Sequence, residues 1–320
     1  MINVGIVGCD NLRAAELVRL LINHPDVNLR WVWTTGADVG QRLDSVVPGI
    51  MGECDLVLEP VAPSPNGVDL IFLCGSRNQV VEVMSRLDLP DDLRIIDLSG
   101  CHNLDQGGEG PWIYGLSEMQ RRVLVHDAQW VTMPGNVAMA SLLALMPMAR
   151  NLMLNSPLTL HAAIGLSMLS QQGLTPDGMT QAQWAQDQQR EVALALSQCQ
   201  SSFCQPVSLT LTRLAERRTL AVAARFKCGI DGEVVRQLYD QYYDDHNFVF
   251  MVDRPIVTAD VENTNKCLIY IDKNEHTGEL TVHAVMDALL KGSSGNAVHA
   301  MNLLFGLHER VGLCLKGTGC

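Results

Sequence analysis

The chain is poor in basic residues, aromatics, long apolar runs and patterned cysteines, and each shortage narrows its role. Lysine and arginine number 23 against 35 acidic residues, a net charge of −12, which disfavours a nucleic-acid or anionic-membrane surface. Aromatics make up only 5% of the 320 residues; with 47% hydrophobic and 18% charged residues, this is the make-up of an ordinary soluble globular protein. The longest apolar run, around Val137–Met148, is interrupted by Ser141 and Pro147 and falls short of a membrane span. The first residues enter a strand pattern directly, with no basic-then-apolar signal segment. Ten cysteines include no C-x-x-C pair, and nine histidines include no metal-ligand spacing. The expectation is reduced thiols, a cytoplasmic location and no metal, with Cys9, Cys54, Cys74 and Cys267 reading as core. Met139, Met146 and Met148 read as helix packing, and His24 before Pro25 as a helix end.

What is present points to two domains. Ile2–Val7, Leu29–Thr34, Val68–Cys74 and Leu93–Leu98 are continuous apolar strands alternating with helical patterns at Leu12–Asn23 and Val80–Leu87. Trp130–Met133 then precedes a helix over Val137–Asn151. That alternation predicts a Rossmann-type, doubly wound parallel sheet covered on both faces. Further on, strands at Leu158–Ile164, Val207–Leu214, Leu220–Phe226, Phe248–Val252, Cys267–Ile271 and Leu280–Val285 bunch around helices at Gln183–Gln200 and Val234–Tyr243. This predicts an α+β domain with a largely antiparallel sheet. The expected division is 1–135, completed by a C-terminal helical segment within 293–320, and 136–292.

Two segments invite a chemical reading. Pro134-Gly135-Asn136 joins an apolar run to a helix, the turn on which α/β enzymes present a nucleophile at a helix N-terminus. An amide is no nucleophile, so Asn136 reads as a helix cap, with an oxyanion-stabilising amide as the alternative. Cys101 and His102 follow the end of a parallel strand, an edge where α/β sites form. They read as an inert cysteine and a satisfied loop histidine, with a relocated Cys/His pair as the alternative. Gly75 and Ser76, after the third strand, are placed to line a nucleotide cleft.

The order of motifs is more specific than any one of them. VGIVG…AELVRLLINHPDV (Val4–Val27), IDLS (Ile96–Ser99), YGLSE (Tyr114–Glu118), the Pro-Gly turn, NTNKCLIYID (Asn263–Asp272) and LLKGSSGNAVHAMNLLFGL (Leu289–Leu307) resemble N-acetyl-γ-glutamyl-phosphate reductase from end to end. Only Ser167–Gln205 matches poorly. The resemblance implies a Rossmann domain binding NADP, and a glyceraldehyde-3-phosphate dehydrogenase-like α+β domain that makes the contacts of a homo-oligomer, dimer or tetramer. It implies an enzyme of arginine biosynthesis in which a cysteine thiolate attacks an acyl phosphate. Hydride then reduces the thioester, and a histidine handles the protons.

Against that pattern the chain departs repeatedly. The family turn Pro-Gly-Cys ends here in Asn136. The family segment His-x-His-x-x-Glu corresponds to Trp184–Leu196; with Glu191 aligned, Gln186 and Gln188 fall where histidines would. The Gly-x-x-Gly-x-x-Gly turn has become Gly8-Cys9-Asp10-Asn11-Leu12-Arg13-Ala14. Here Asn11 can tolerate a left-handed backbone, Asp10 is expected to oppose a pyrophosphate, and Arg13 can partly offset Asp10. The acidic residue and arginine expected after IDLS are replaced by Gly100-Cys101-His102-Asn103, which removes a bidentate anion partner. Gly292 and Gly295 remain; in the family they approach the cofactor and reacting centre, or they serve backbone geometry alone. The resulting expectation is a homologue with no catalytic residue intact and NADP binding weakened or lost, acting as a self-associating binding, regulatory or scaffold protein. A small-molecule ligand fits that expectation. The alternative is an active NADP-dependent reductase of the pathway, or of a related carbonyl substrate.

Overall fold

The computed structural model describes residues 1–35, 38–60, 64–103, 112–165, 179–216 and 218–317. Residues 167–178 of the poorly matching segment, and 318–320 of the tail, lie outside the described residues. The chain forms two compact units: Met1–Pro134 with Ser293–Cys314, and Gly135–Gly292 with tail residues 315–317.

The first unit runs β1 (Ile2–Val7), α1 (Leu12–Ile22), β2 (Val27–Trp33), α2 (Leu43–Val46), β3 (Leu58–Glu59), β4 (Leu70–Leu73), α3 (Arg77–Met84), β5 (Arg94–Asp97), β6 (Trp112–Tyr114), α4 (Ser117–His126) and β7 (Trp130–Thr132). Its strands make one parallel sheet in the order β3-β2-β1-β4-β5-β7-β6. The order reverses between β1 and β4, where such sheets open a crevice at the strands' carboxyl ends. β4 is buried throughout and β1 nearly so, as their two-faced apolar sequences require.

The second unit holds α5 (Asn136–Arg150), β8 (Leu158–Ile164), α6 (Gln181–Cys199), β9 (Val207–Arg213), β10 (Thr219–Lys227), α7 (Gly232–Tyr243), β11 (Val249–Met251), β12 (Cys267–Asn274) and β13 (Glu279–Asp287). The sheet is mixed, in the order β11-β12-β13-β10-β8-β9: its four inner strands are antiparallel, and the edges β11 and β9 join in parallel. α5 is buried from Val137 to Ala149 and packs on β10, β13 and α6. Pro147 lies inside it and has no N–H for the carbonyl of Leu143. The Tyr243 hydroxyl donates to that carbonyl instead, and Tyr239 donates to Ala144 O at 2.6 Å. The sheet's opposite face carries Thr159, His161, Ala221, Ala223 and Arg225, which are half-buried or exposed.

A π-helical turn, Leu290–Ser294, leads into α8 (Gly295–Leu304), which packs on α1 and α4 of the first unit. A buried polar clasp holds α8 there. Ser117 Oγ meets His299 Nδ1 at 2.9 Å, His299 Nε2 meets Glu309 Oε2 at 2.6 Å, and Arg121 pairs with the other oxygen of Glu309. His24, read as a helix end, is also buried and bonds Asn302 Oδ1 at 3.1 Å.

Burial pushes the Glu309 carboxyl up, but the hydrogen bond and charge of His299, with Arg121, outweigh it and leave the group below its ordinary value. A depressed folded-state value contributes stability that is present above the ordinary glutamate range and lost as pH falls through the folded value. Thermal melts should therefore fall on acidification below that range. Glu309→Gln should flatten this acid limb while lowering stability at neutral pH; an unchanged acid limb would remove Glu309 from the titration.

Candidate functional site

The turn before α5 is built differently from a simple asparagine cap. Gly135 occupies the N-cap position, and Asn136 is the first helical residue. Asn136 therefore does not cap as its sequence preference suggests; its Oδ1 folds forward and accepts from Val137 N–H at 2.8 Å. Two further N–H groups at this end are met by α6. Ala138 N–H donates to Gln188 Oε1 at 3.0 Å, and Gly135 N–H donates to Glu191 Oε1 at 2.9 Å. Gln188 and Glu191 are both buried. A methyl on Gly135 would fall 2.1 Å from Gln188 Nε2, so the turn and the side chain are in close contact. Gly292 lies against the same residue, its missing Cβ 3.4 Å from Asn136 Cβ. The fold thus gathers Asn136, Gln188, Glu191 and Gly292 within the second unit. The family resemblance pointed to Gln188 and Glu191, but not to their closing the helix end.

Gly8, Asn11, Gly75, Ser76 and Gly295 belong to the first unit. Gly8 has φ +85°, and a methyl on it would meet Gly75 Cα at 2.3 Å, so the two loops touch through bare backbone. Asn11 does not use the left-handed region that an asparagine tolerates. It is extended at φ −144° and caps α1, accepting from Ala14 N–H at 2.9 Å while its Nδ2 donates to Cys74 O at 2.9 Å. Arg13 does not turn to Asp10; its guanidinium donates to Leu98 O. Ser76 caps α3 in a reciprocal box with Gln79, which accepts from Ser76 N–H at 2.7 Å. The Gln79 amide then donates to Thr35 Oγ1 at 2.6 Å and Asp10 Oδ2 at 3.3 Å, lacing together the loops after β1, β2 and β4. Gly295 opens α8.

Cys9 and Cys74 are buried beside this loop. Burial, with Asp10 and Asp38, pushes Cys9 up to about 12, and burial raises Cys74 further. Neither is a thiolate at neutral pH. Cys267 is buried, whereas Cys54 is only partly so and is not core. Met139, Met146 and Met148 are fully buried in α5.

His102 and Cys101 do not form a pair. His102 turns to the buried Asp97, Nδ1 to Oδ2 at 2.8 Å, while Cys101 Sγ lies 3.6 Å from Arg77 O. Asp97 closes the apolar run of β5, so in the sequence it has the appearance of a strand end.

A seven-stranded parallel sheet whose order reverses between β1 and β4, followed by a mixed-sheet unit whose buried helix starts at a Pro-Gly turn, is the two-domain fold of the semialdehyde dehydrogenases. The family described as "Semialdehyde dehydrogenase, NAD binding domain" matches residues 3–126, and "Semialdehyde dehydrogenase, dimerisation domain" matches 137–288. Among solved structures, aspartate semialdehyde dehydrogenase II from Vibrio cholerae, complexed with ASA, superposes with a TM-score of 0.73 over 96% of this chain and 98% of that one, at 13% identity. The enzyme from Candida albicans, with NADP, gives 0.70 over 95% and 98%, at 11% identity. At these identities the likeness shows the nucleotide-binding fold.

In sequence the chain is 36% identical to N-acetyl-gamma-glutamyl-phosphate reductase of Parabacteroides distasonis, covering 99% of both chains. The chain belongs to the N-acetyl-γ-glutamyl-phosphate reductase family. No helix among the described residues is long and apolar enough to cross a membrane.

Proposed function

We propose that this chain has left the reductive chemistry of its family and serves as a self-associating binding, regulatory or scaffold protein in the cytoplasm. The observation that carries this reading is the closed N-terminus of α5. In the family reaction this end would hold a thiolate and a developing oxyanion; here Asn136, Gln188 and Glu191 use its N–H groups as ordinary caps. Neither amide can form a thioester, and neither can exchange a proton near neutral pH as a histidine does.

NADP, the cofactor the family implies, fits the first unit poorly. The bare-backbone contact of Gly8 and Gly75 is the kind of turn a dinucleotide needs. The side chains around it oppose an anion: Asp10 places a carboxylate beside α1, and Gln79 spans from Asp10 to Thr35 across the loop ends. Self-association has its surface in the open face of the mixed sheet, and the matched family's dimerisation domain supports it. A monomer by light scattering would remove that part of the reading.

The rival, an active NADP-dependent reductase of arginine biosynthesis, draws on the full-length likeness to the reductases. Calorimetric titration decides between them. No NADP(H) binding in the low micromolar range is expected, and phosphate-dependent NADP reduction with an N-acylglutamate semialdehyde should stay at the no-protein level. Micromolar binding together with turnover would establish the rival.

A further inference from the structure

The open face of the mixed sheet carries two imidazoles across its middle. The strand register sets Thr210 beside His161, His161 beside Ala223, Ala223 beside His283 and His283 beside Tyr270, one residue from each of five strands. Alternation turns this row away from α5, since the preceding residues Leu160, Val222, Val282 and Ile269 are buried on the other side. Ala223 is the small residue between the two histidines. His161 Nε2 lies 2.7 Å from Thr212 Oγ1. His283 is half-buried beside the Tyr270 ring, centroids 5.8 Å apart, and among the described residues no hydrogen bond holds its imidazole.

The charged groups around His283 are few. Arg225 of β10 and Asp272 of β12 stand diagonally from it, and β8 contributes His161 beyond Ala223. On its own strand, Glu279 pairs with Arg225, Oε1 to Nε at 3.4 Å, so these two offset each other at the rim. The row on the other side, Ala163, Ala221, Val285 and Leu268, is apolar throughout. Burial pushes the His283 imidazole below its ordinary value; Asp272 pulls it up, Arg225 pushes it down, and the net direction is down. The middle of the face is therefore uncharged at neutral pH, and acid brings positive charge to it.

We infer that this face is a proton-sensitive interface: two copies meet through it while His283 is neutral, and protonation of His283 separates them. The inference rests on the self-association proposed above and adds its regulation. A two-fold interface brings the same patch from both chains, so the partner supplies no new kind of charge. In acid each face offers Asp272 against two imidazolium rings, and like charge outnumbers opposite. Covering His283 also costs the charged ring its water, a larger loss than for the neutral ring. A group held lower in the associated state binds fewer protons there. Association is then full above the ordinary histidine range and weakens as pH falls through it. One further unit of depression at His283 in each copy raises the Kd roughly 10²-fold once the free chains are protonated.

Sedimentation equilibrium of the full chain at fixed ionic strength, from about pH 7.5 to about pH 5.5, tests this while staying above the ordinary glutamate range. The Kd should rise roughly 10²-fold across that interval. His283→Gln should still associate at the upper pH and lose most of the rise. An NMR titration of the wild-type His283 ring needs no variant; its midpoint should be lower in a concentrated, associated sample than in a dilute one. A monomer at both pH values would remove the self-association reading and the switch with it. A Kd that does not move with pH, a rise intact in His283→Gln, or one midpoint at both concentrations would overturn the switch and leave self-association standing.

Discussion

Replacing Asp287 by alanine should destabilise the protein by about 3–5 kcal/mol, the range for stripping one partner from a buried ion pair. Asp287 is fully buried at the end of β13 and accepts from five donors. Arg218 Nε and Nη2 reach its two oxygens at 2.8 and 3.3 Å, Asn263 N–H at 2.8 Å, and Leu289 and Leu290 N–H at 2.9 and 3.0 Å. Alanine would remove the acceptor that the Arg218 guanidinium and three backbone amides share. Asp287→Asn should rescue little, since its NH2 would face other donors. Asn263 is also held at φ +59°, a strained conformation that its bond to Asp287 helps to maintain. Urea unfolding gives the loss, and hydrogen exchange at Leu289 and Leu290 gives its location. A loss below about 1 kcal/mol would place this site among exposed pairs.

Gly8→Ala should be the next largest effect. A left-handed φ costs an alanine roughly 1–2 kcal/mol. The added methyl would also meet backbone, Gly75 Cα at 2.3 Å and Gly75 N at 2.5 Å, so no side-chain rotation relieves it. Forcing the loops apart adds about 1–3 kcal/mol. The effect should be the same with or without NADP(H) in a thermal-shift series. If the variant melts like the parent, the contact between the β1 and β4 loops is not what keeps this glycine.

The sequence made the strands legible where burial on both faces left continuous apolar runs, as in β1 and β4. It made α5 legible because nearly every position is buried. The short elements left no period to read: β3 has two residues, β6 three, and α4 is broken by non-helical angles at Gln120. Leu290–Ser294 lies inside the LLKGSSGNAVHAMNLLFGL motif, whose sequence gives no sign of the π-helical turn or of Asp287 taking the amides of Leu289 and Leu290.

At the candidate site, residue types were visible and partners were not. Gln188 could be aligned, yet its bond to Ala138 crosses 50 positions. Asn11 was credited with backbone tolerance, while its side chain makes the two bonds that matter. Asp97 and His102 are five residues apart after a parallel strand, a local spacing that could have been noticed. Adjacency in sequence pairs Cys101 with His102, whereas their side chains turn to Arg77 O and to Asp97.

On the function proposed here, the caps on α5 make a return to the family chemistry hard. Gln188 and Glu191 stand three residues apart on one helix face and close adjacent donors, so reinstating a histidine at 188 would leave Ala138 N–H buried without that acceptor. A thiol at 136 would likewise remove the oxygen now serving Val137 N–H. The N–H groups at this helix end are tied into the core, and each single step toward the family's cysteine and histidine would pass through a less stable protein. The closed turn is a ratchet: selection for folding alone would keep it shut.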